Sequence, residues 1–180
     1  MIDEARIIAQ LKDEAQREYA FNTLVQEYQE VLYWQIRRLV LTHEDADDVL
    51  QNTFLKAWVA LDDFRAESKI STWLFRIAIN ESLSFLEKKK RNTDITSGID
   101  GFLTNQLVAD PYFDGDETQV LLQEAIAQLP DKQKAVFNLK YFQEMKYEDM
   151  SQMLGTSIGA LKASYHHAVK KITDFFQQSD

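Results

Sequence analysis

Apolar residues recur along most of this chain at intervals of three and four, the spacing that gathers them on one side of an α-helix. Leu24, Val25, Tyr28, Val31, Leu32, Ile36, Leu39 and Val40 form the first long set. Thr42-His43-Glu44-Asp45 has the form of a capping box, with Thr42 placed to accept a backbone hydrogen bond and Asp45 three residues on. It opens a second helix with Ala46, Val49, Leu50, Phe54, Leu55, Trp58 and Leu61 on its apolar side. A polar stretch from Asp62 to Thr72 follows, and then a third long helix over about Ser71 to Arg91. Near the N-terminus Ile7, Ile8 and Leu11 share one side, which has either this domain or a partner to pack against. No alternating pattern bounded by hairpin turns appears, so strands are not expected.

The pattern resumes near Val120. Leu121, Leu122, Ala125, Ile126 and Leu129 predict a short helix that stops at Pro130. Val136, Phe137, Leu139, Lys140 and Tyr141 fall in a second, and a third runs from about Tyr147 to Leu154. Gly155 suits a helix stop because glycine tolerates left-handed backbone angles. Ser157 can cap a fourth helix running to about Phe176. A short helix, a tight glycine turn and a longer helix make a helix-turn-helix pattern. The expected fold is all-α, with two small helical domains at residues 1–91 and 121–180 joined by a flexible acidic linker at 92–120.

Composition sharpens this division. Residues 1–91 carry 13 basic and 16 acidic side chains, residues 92–120 none and 6, and residues 121–180 seven of each. The middle segment also holds three of the five glycines and Pro111, which marks it as a linker. With 180 residues the chain suffices for one ordinary domain or two small ones. It has no cysteine, which excludes disulfides, thiol catalysis and cysteine metal sites. Its glycines fit no phosphate-loop pattern. The apolar run near Val31 to Leu41 is cut by Arg37 and Arg38, and the acidic start (Asp3, Glu4) is unlike an export signal; a cytoplasmic protein is expected.

Two surfaces are left over once the core is assigned. On the helix from Ser71 to Arg91, the residues Trp73, Arg76, Ile77, Asn80, Ser84, Lys88 and Arg91 form a stripe beside the apolar face. Between Lys69 and Arg91 six basic residues stand against two acidic ones, a local basic patch in an acidic domain. Rings stack on bases, an amide reads a base edge and lysines pair with phosphates, so the mixture suits nucleic acid. The plainer alternative is a solvated helix end with Trp73 in the core. On the last helix Ile158, Leu161, Tyr165, Ala168, Ile172 and Phe175 should pack inward, leaving Lys162, Ser164, His166, His167, Lys170 and Lys171 outward. In a helix-turn-helix such a surface enters the major groove; the alternative is a plain helical hairpin. Adjacent His166 and His167 diverge by roughly 100° on a helix and have no third ligand nearby, which argues against a metal.

Two long motifs then acquire a family resemblance. Asp45-Ala46-Asp47-Asp48-Val49-Leu50-Gln51-Asn52-Thr53-Phe54-Leu55-Lys56-Ala57-Trp58, Phe64-Arg65 and Ser71-Thr72-Trp73-Leu74-Phe75-Arg76-Ile77-Ala78-Ile79-Asn80 carry it in the first half. Ala125-Ile126-Ala127-Gln128-Leu129-Pro130 and the run from Tyr147 to Lys162 carry it in the second. Together they resemble the extracytoplasmic-function sigma factors, bacterial transcription-initiation factors of two domains. The resemblance implies that residues 1–91 are a region-two domain and 121–180 a region-four domain. It implies that Asp45, Asp48, Gln51, Asn52 and Leu55 meet the clamp helices of RNA polymerase. It also implies that Phe64, Lys69, Ser71, Trp73, Arg76, Ile77, Asn80, Ser84, Lys88 and Arg91 read and melt a minus-ten element, with Phe64, Ile77 and Asn80 around an extruded base. Ser157, Lys162, Ala163, Ser164, His166, His167 and Lys170 would read a minus-thirty-five element, and the helices before them would hold the polymerase flap tip. Implied partners are core RNA polymerase, promoter DNA and an anti-sigma factor, often membrane-anchored in such systems. No cofactor, metal, catalysis or small-molecule substrate is implied.

Some positions depart from the family pattern. After Lys162 the family often carries arginines where Ala163, Ser164, Tyr165, His166, His167 and Ala168 stand, so upstream specificity does not transfer from relatives. An acidic residue often found four positions after the asparagine is Ser84 here. The net charge of −9 predicts that the isolated chain binds duplex promoter poorly and needs core polymerase. Two other classes fit less well. A free-standing helix-turn-helix regulator would need a dimer interface or sensor domain. An enzyme using Glu44, Asp45, Asp47 and Asp48 as metal ligands lacks the Glu-x-x-His pair of helical carboxylate sites, and a helix N-terminus explains their acidity.

Overall fold

The computed structural model describes residues 3–92 and 115–179, and every regular element among them is helical. The first half comprises α1 (Glu4–Lys12), α2 (Arg17–Val40), α3 (His43–Val59), a single 3-10 turn at Leu61–Asp63, and α4 (Ile70–Asn92). The second comprises α5 (Glu117–Ala127), α6 (Asp131–Tyr141), α7 (Tyr147–Leu154) and α8 (Ile158–Ser179).

Local chemistry sets most boundaries. The Asp45 amide donates to the Thr42 hydroxyl at 3.2 Å, the capping bond expected for α3. Helix α2 ends at Leu41, whose φ of 74° is left-handed, and Arg37 donates from its guanidinium to the Leu41 carbonyl. Gly155 closes α7 at φ 64°, and the Ala160 amide donates to the Ser157 hydroxyl at 3.2 Å to start α8. The N-terminal segment has a defined place. Ile7 and Leu11 are buried in the core, and the Glu4 carboxylate accepts the Ile70 amide at 2.6 Å. A carboxylate from a distant helix thus caps α4, where it also opposes the positive end of the helix dipole.

One expected boundary moves. Helix α5 begins at Glu117, inside the stretch assigned to the linker, because Asp116 accepts the Gln119 amide at 3.0 Å and forms an N-cap. Acidic charge and the glycine and proline content mark the segment as linker, yet acidic residues also favour a first helical turn. The remainder of the linker assignment, residues 93–114, lies outside the described residues.

Helices α2, α3 and α4 pack together around Leu24, Leu32, Ile36, Leu39, Ile70, Leu74 and Ile79, all fully buried. In the second half α8 packs on α5, α6 and α7. The halves also pack on each other, α5 and α6 against α2, and α7 against α4. Helix α6 shows this most directly. Six consecutive residues from Lys134 to Leu139 are buried, more than one helical face can cover, so α6 has neighbours on opposite sides. Phe137 turns into the second half's own cluster with Ala125, Ile126, Leu129, Ala168 and Ile172. Ala135, Val136 and Leu139 join the cluster that continues into the first half.

Candidate nucleic-acid interface

The stripe on α4 emerges largely as the spacing demands. Leu74, Phe75, Ala78, Ile79, Ser82 and Leu86 turn inward. Arg76, Asn80, Ser84, Lys88 and Arg91 are exposed along the opposite side, and Lys69 is exposed just before the helix. Ser71, Trp73 and Ile77 are half-buried at the edge of the stripe. The result is a row of amide, hydroxyl and cationic groups beside a partly covered indole, a surface able to stack on bases while pairing with phosphates.

Phe64 is the exception. It was expected to face an extruded base, but it is only 9% exposed and its ring lies 5.0 Å from the Trp73 ring. The 3-10 turn at Leu61–Asp63 folds the chain back, and the Phe64 backbone N–H closes it by donating to the Leu61 carbonyl at 3.2 Å. An aromatic ring held there gains more by covering Trp73 than by facing water. Phe64 therefore backs the indole.

On α3 the candidate polymerase contacts divide. Asp48, Gln51, Asn52 and Leu55 are exposed, whereas Asp45 is mostly covered and pairs with Lys89 of α4 at 2.6 Å. Leu55 and Trp58 were expected on the apolar inner side. They are instead 64% and 39% exposed, with Val59 also outside. The buried side of α3 is carried by Ala46, Val49, Thr53 and Ala57, small residues that let α3 sit close to its neighbours. The larger apolar groups are left outside, where they form part of an exposed patch of the kind that marks a docking surface. Trp58 is braced by Phe21, with ring centroids 5.1 Å apart, and by the Arg17 guanidinium at 5.5 Å.

On α8 Leu161, Ala168 and Ile172 are buried as expected, with Tyr165, Ile158 and Phe175 half-covered. Lys162, Ala163, His166, His167, Lys170 and Lys171 are exposed, and Ser164 is half-buried. Ser157 serves as the helix cap. Sequence reasoning did not single out Tyr147, the first residue of α7. Its ring lies 4.6 Å from the Lys140 ammonium and 5.7 Å from that of Lys162, so it steadies an exposed lysine of α8 by cation–π attraction. No group of three or more metal-ligating side chains gathers among the described residues.

Buried polar groups lie between the two halves. The Arg38 guanidinium sits 3.8 Å over the Phe142 ring, and burial lowers its pKa to about 10. Lys90 of α4 pairs with Asp131 of α6 at 2.5 Å. Lys134, one turn along α6, is almost fully buried, and its pKa falls to about 8. Burial is the main cause, with Lys90 adding to it and Asp131, 4.0 Å away, opposing it. Nothing in the hydrophobic pattern signals these groups, because the pattern describes each helix and not what lies across from it.

Comparison with known proteins follows the same division. A family model described as Sigma-70 region 2 matches residues 24–92, and one described as Sigma-70, region 4 matches residues 119–172. The chain is 31% identical over 156 residues to the ECF RNA polymerase sigma factor SigW of Bacillus subtilis, covering 82% of this chain and 83% of that protein. It is 30% identical over 179 residues to the RNA polymerase sigma-H factor of Pseudomonas aeruginosa, covering 93% of each. Among solved structures, CnrH, determined in complex with the cytosolic domain of CnrY, aligns over 98% of this chain and 99% of its own, with a TM-score of 0.71 and 23% identity. RpoE of Bartonella quintana, determined with the anti-sigma factor NepR, aligns over 87% of this chain and 96% of its own, with the same TM-score and 24% identity.

Proposed function

Because this chain belongs to the sigma-70 family, as an RNA polymerase sigma factor of the extracytoplasmic-function type, we propose that its two exposed helical stripes divide promoter recognition between them. The stripe on α4 takes the minus-ten element as it opens. The stripe on α8 reads the minus-thirty-five element as intact duplex. The observation that carries this is the exposure of Asn80 and Lys162, on separate helices in separate halves, each within a row of cationic and amide or imidazole groups.

Opening duplex DNA costs on the order of 1.4 kcal/mol per base-pair step. A surface that holds only the extruded base recovers part of that cost, so melting becomes dependent on sequence. Asn80 offers both a donor and an acceptor to a base edge, Ile77 an apolar wall, and Trp73, backed by Phe64, a stacking face. Lys69, Arg76, Lys88 and Arg91 follow the phosphates, with Ser71 and Ser84 as short donors. On α8, Lys162 and Ser164 reach base edges, and His166, His167 and Lys170 the backbone. Asp45, Asp48, Gln51, Asn52 and Leu55 dock α3 on the polymerase clamp helices, with Trp58 and Val59 extending that surface. The region-two role falls to residues 1–91 and the region-four role to the helices from Glu117 onward, whose outer faces hold the flap tip.

In this reading the protein acts without catalysis and in the cytoplasm, which its likeness to sigma factors supports. Its partners in this reading are core RNA polymerase, promoter DNA and an anti-sigma factor; one structural neighbour, RpoE of Bartonella quintana, was determined with an anti-sigma factor. The test is to map RNA start sites after overexpression of the wild type and of Asn80→Ala. A discrete set of starts should appear with the wild type and weaken about tenfold with the variant. Starts unchanged by Asn80→Ala would remove α4 from this role.

A further inference from the structure

The surface assigned to the minus-ten element begins in a loop with little of its own to hold it. Residues 65–69 are all exposed, and Ala66 takes a left-handed φ of 57°. The anchors stand at the two ends. Phe64 lies against Trp73, and Ile70, the first residue of α4, is fully buried. Ser71 and Trp73 follow within one turn of Ile70. Whatever sets the angle at which the chain enters α4 therefore also sets where these two side chains stand.

Helix α4 starts differently from α3 and α8. Thr42 and Ser157 each precede their helix and cap it with a hydroxyl. The residue before Ile70 is Lys69, whose ammonium has no acceptor to offer. The Lys69 carbonyl accepts the Trp73 amide at 3.1 Å, and the Ile70 amide donates instead to Glu4 of α1 at 2.6 Å. Tyr28 of α2 belongs to the same group. Its pKa is raised, by burial first and then by the nearby Glu4 and Glu27 carboxylates, while a hydrogen bond between the Tyr28 and Ser71 hydroxyls pulls the other way. Glu4, Tyr28 and Ser71 thus gather at the head of α4.

Helix α1 is secured well enough to act as a fixed point. Ile7 and Leu11 are buried in the core, and Asp3 accepts the Arg6 amide at the start of the helix. At the turn into α2, Asp13 accepts the Ala15 amide at 3.0 Å and the Gln16 side-chain amide at 2.7 Å. This brace precedes residue 24, where the match to region 2 begins.

We propose that Glu4 is a positioning residue for minus-ten recognition, fixing the entry of α4 through the Ile70 amide and, with Tyr28, the stance of Ser71 and Trp73. It touches no DNA itself. A loop already in place binds its strand without first being ordered, and that ordering cost is what Glu4 removes. The inference rests on the promoter reading above.

The test uses core polymerase with the full chain and a fluorescein-labelled non-template strand from one mapped start site, followed by anisotropy. Glu4→Ala should weaken strand binding about fivefold, the scale of a lost helix cap, and leave affinity for core polymerase unchanged. Glu4→Gln keeps an acceptor oxygen for the Ile70 amide and should stay within about twofold of wild type. Tyr28→Phe loses a single hydroxyl and should weaken the strand about threefold, which keeps the test decisive if Glu4→Ala does not fold. An abasic residue, placed where it weakens the wild type most, should bring Glu4→Ala to within about twofold of wild type, which general destabilisation would not do. Wild-type affinity for the intact strand in both Glu4→Ala and Tyr28→Phe would overturn the proposal. So would a loss in Glu4→Ala that is as large on the abasic strand, or one that Glu4→Gln fails to rescue. Asn80→Ala, measured alongside, separates the two readings. If it binds the strand as wild type does, the promoter reading falls and this proposal with it; if it alone weakens binding, only the role of Glu4 falls.

Discussion

The two halves of the molecule are stabilised differently. The first holds a core of long side chains, among them Leu24, Leu32, Ile36, Leu39, Leu74 and Ile79, surrounded by α1 to α4. The second has a smaller private cluster around Ile126 and Phe137, and Ala135, Val136 and Leu139 of α6 join the cluster of the first half instead. A small domain buries a lesser share of its surface and is correspondingly marginal, so a neighbour adds much to it. The second half thus leans on the first, and the seam between them carries the Lys90–Asp131 pair and the Arg38–Phe142 contact.

The largest effects should come from the cores. Ile126→Ala removes a fully buried side chain from the smaller cluster and should cost roughly 2–5 kcal/mol. Trp34, Trp58 and Trp73 all lie in the first half, so their fluorescence reports that half while far-ultraviolet circular dichroism reports both. In denaturant the variant should lose helicity before its fluorescence changes. Ile36→Ala, in the larger core, should move both signals together. Coincident transitions in both variants would mean that the halves behave as one cooperative unit.

The seam should respond to pH in an unusual direction. Lys134 has a pKa near 8 when the halves are docked, against 10.5 ordinarily, so a form with the halves apart binds more protons between those values. Raising the pH from 8 toward 10.5 should therefore favour docking, by up to about 3 kcal/mol if Lys134 acts alone. Below 8 it is charged in both forms and adds no slope. The distance between labels placed at Glu14→Cys and Gln177→Cys, both exposed positions, measured against pH checks this, and Lys134→Met should flatten the dependence.

A smaller change should separate function from fold. Asn80→Ala should lower transcription about tenfold, equivalent to about 1.4 kcal/mol, while moving the unfolding midpoint little, since exposed substitutions usually lie within about 0.5 kcal/mol. Run-off assays alongside thermal melts would show whether the two properties part. The smallest effect expected is at the α1–α4 junction. Glu4→Ala deletes the cap on the Ile70 amide and should cost about 1 kcal/mol, read from denaturant midpoints. No loss there would mean that water replaces the carboxylate fully.

Much of this architecture is legible before any coordinates. Helix type follows from three-and-four spacing, and stops and starts follow from local atoms: Thr42, Ser157 and Gly155 each act within one turn of the chain. The exposed rows on α4 and α8 are readable for the same reason, since a helix that buries one side must present the other. Phe64 was misplaced because its burial depends on a 3-10 turn that brings it onto Trp73 nine residues later. Leu55 and Trp58 were misplaced because a run of small residues lets α3 pack on a neighbouring face of the helix.

What the amino-acid order determines alone is therefore whatever is settled within about four residues: helices, caps, and which side of each helix is wet. Tertiary structure alone decides what meets across a gap of many residues. It brought Glu4 to the start of α4, set Arg38 on Phe142, and paired Lys90 with Asp131 across two halves that each look complete when read separately. The reason is that burial is a property of two surfaces, and a one-dimensional pattern records only one of them at a time.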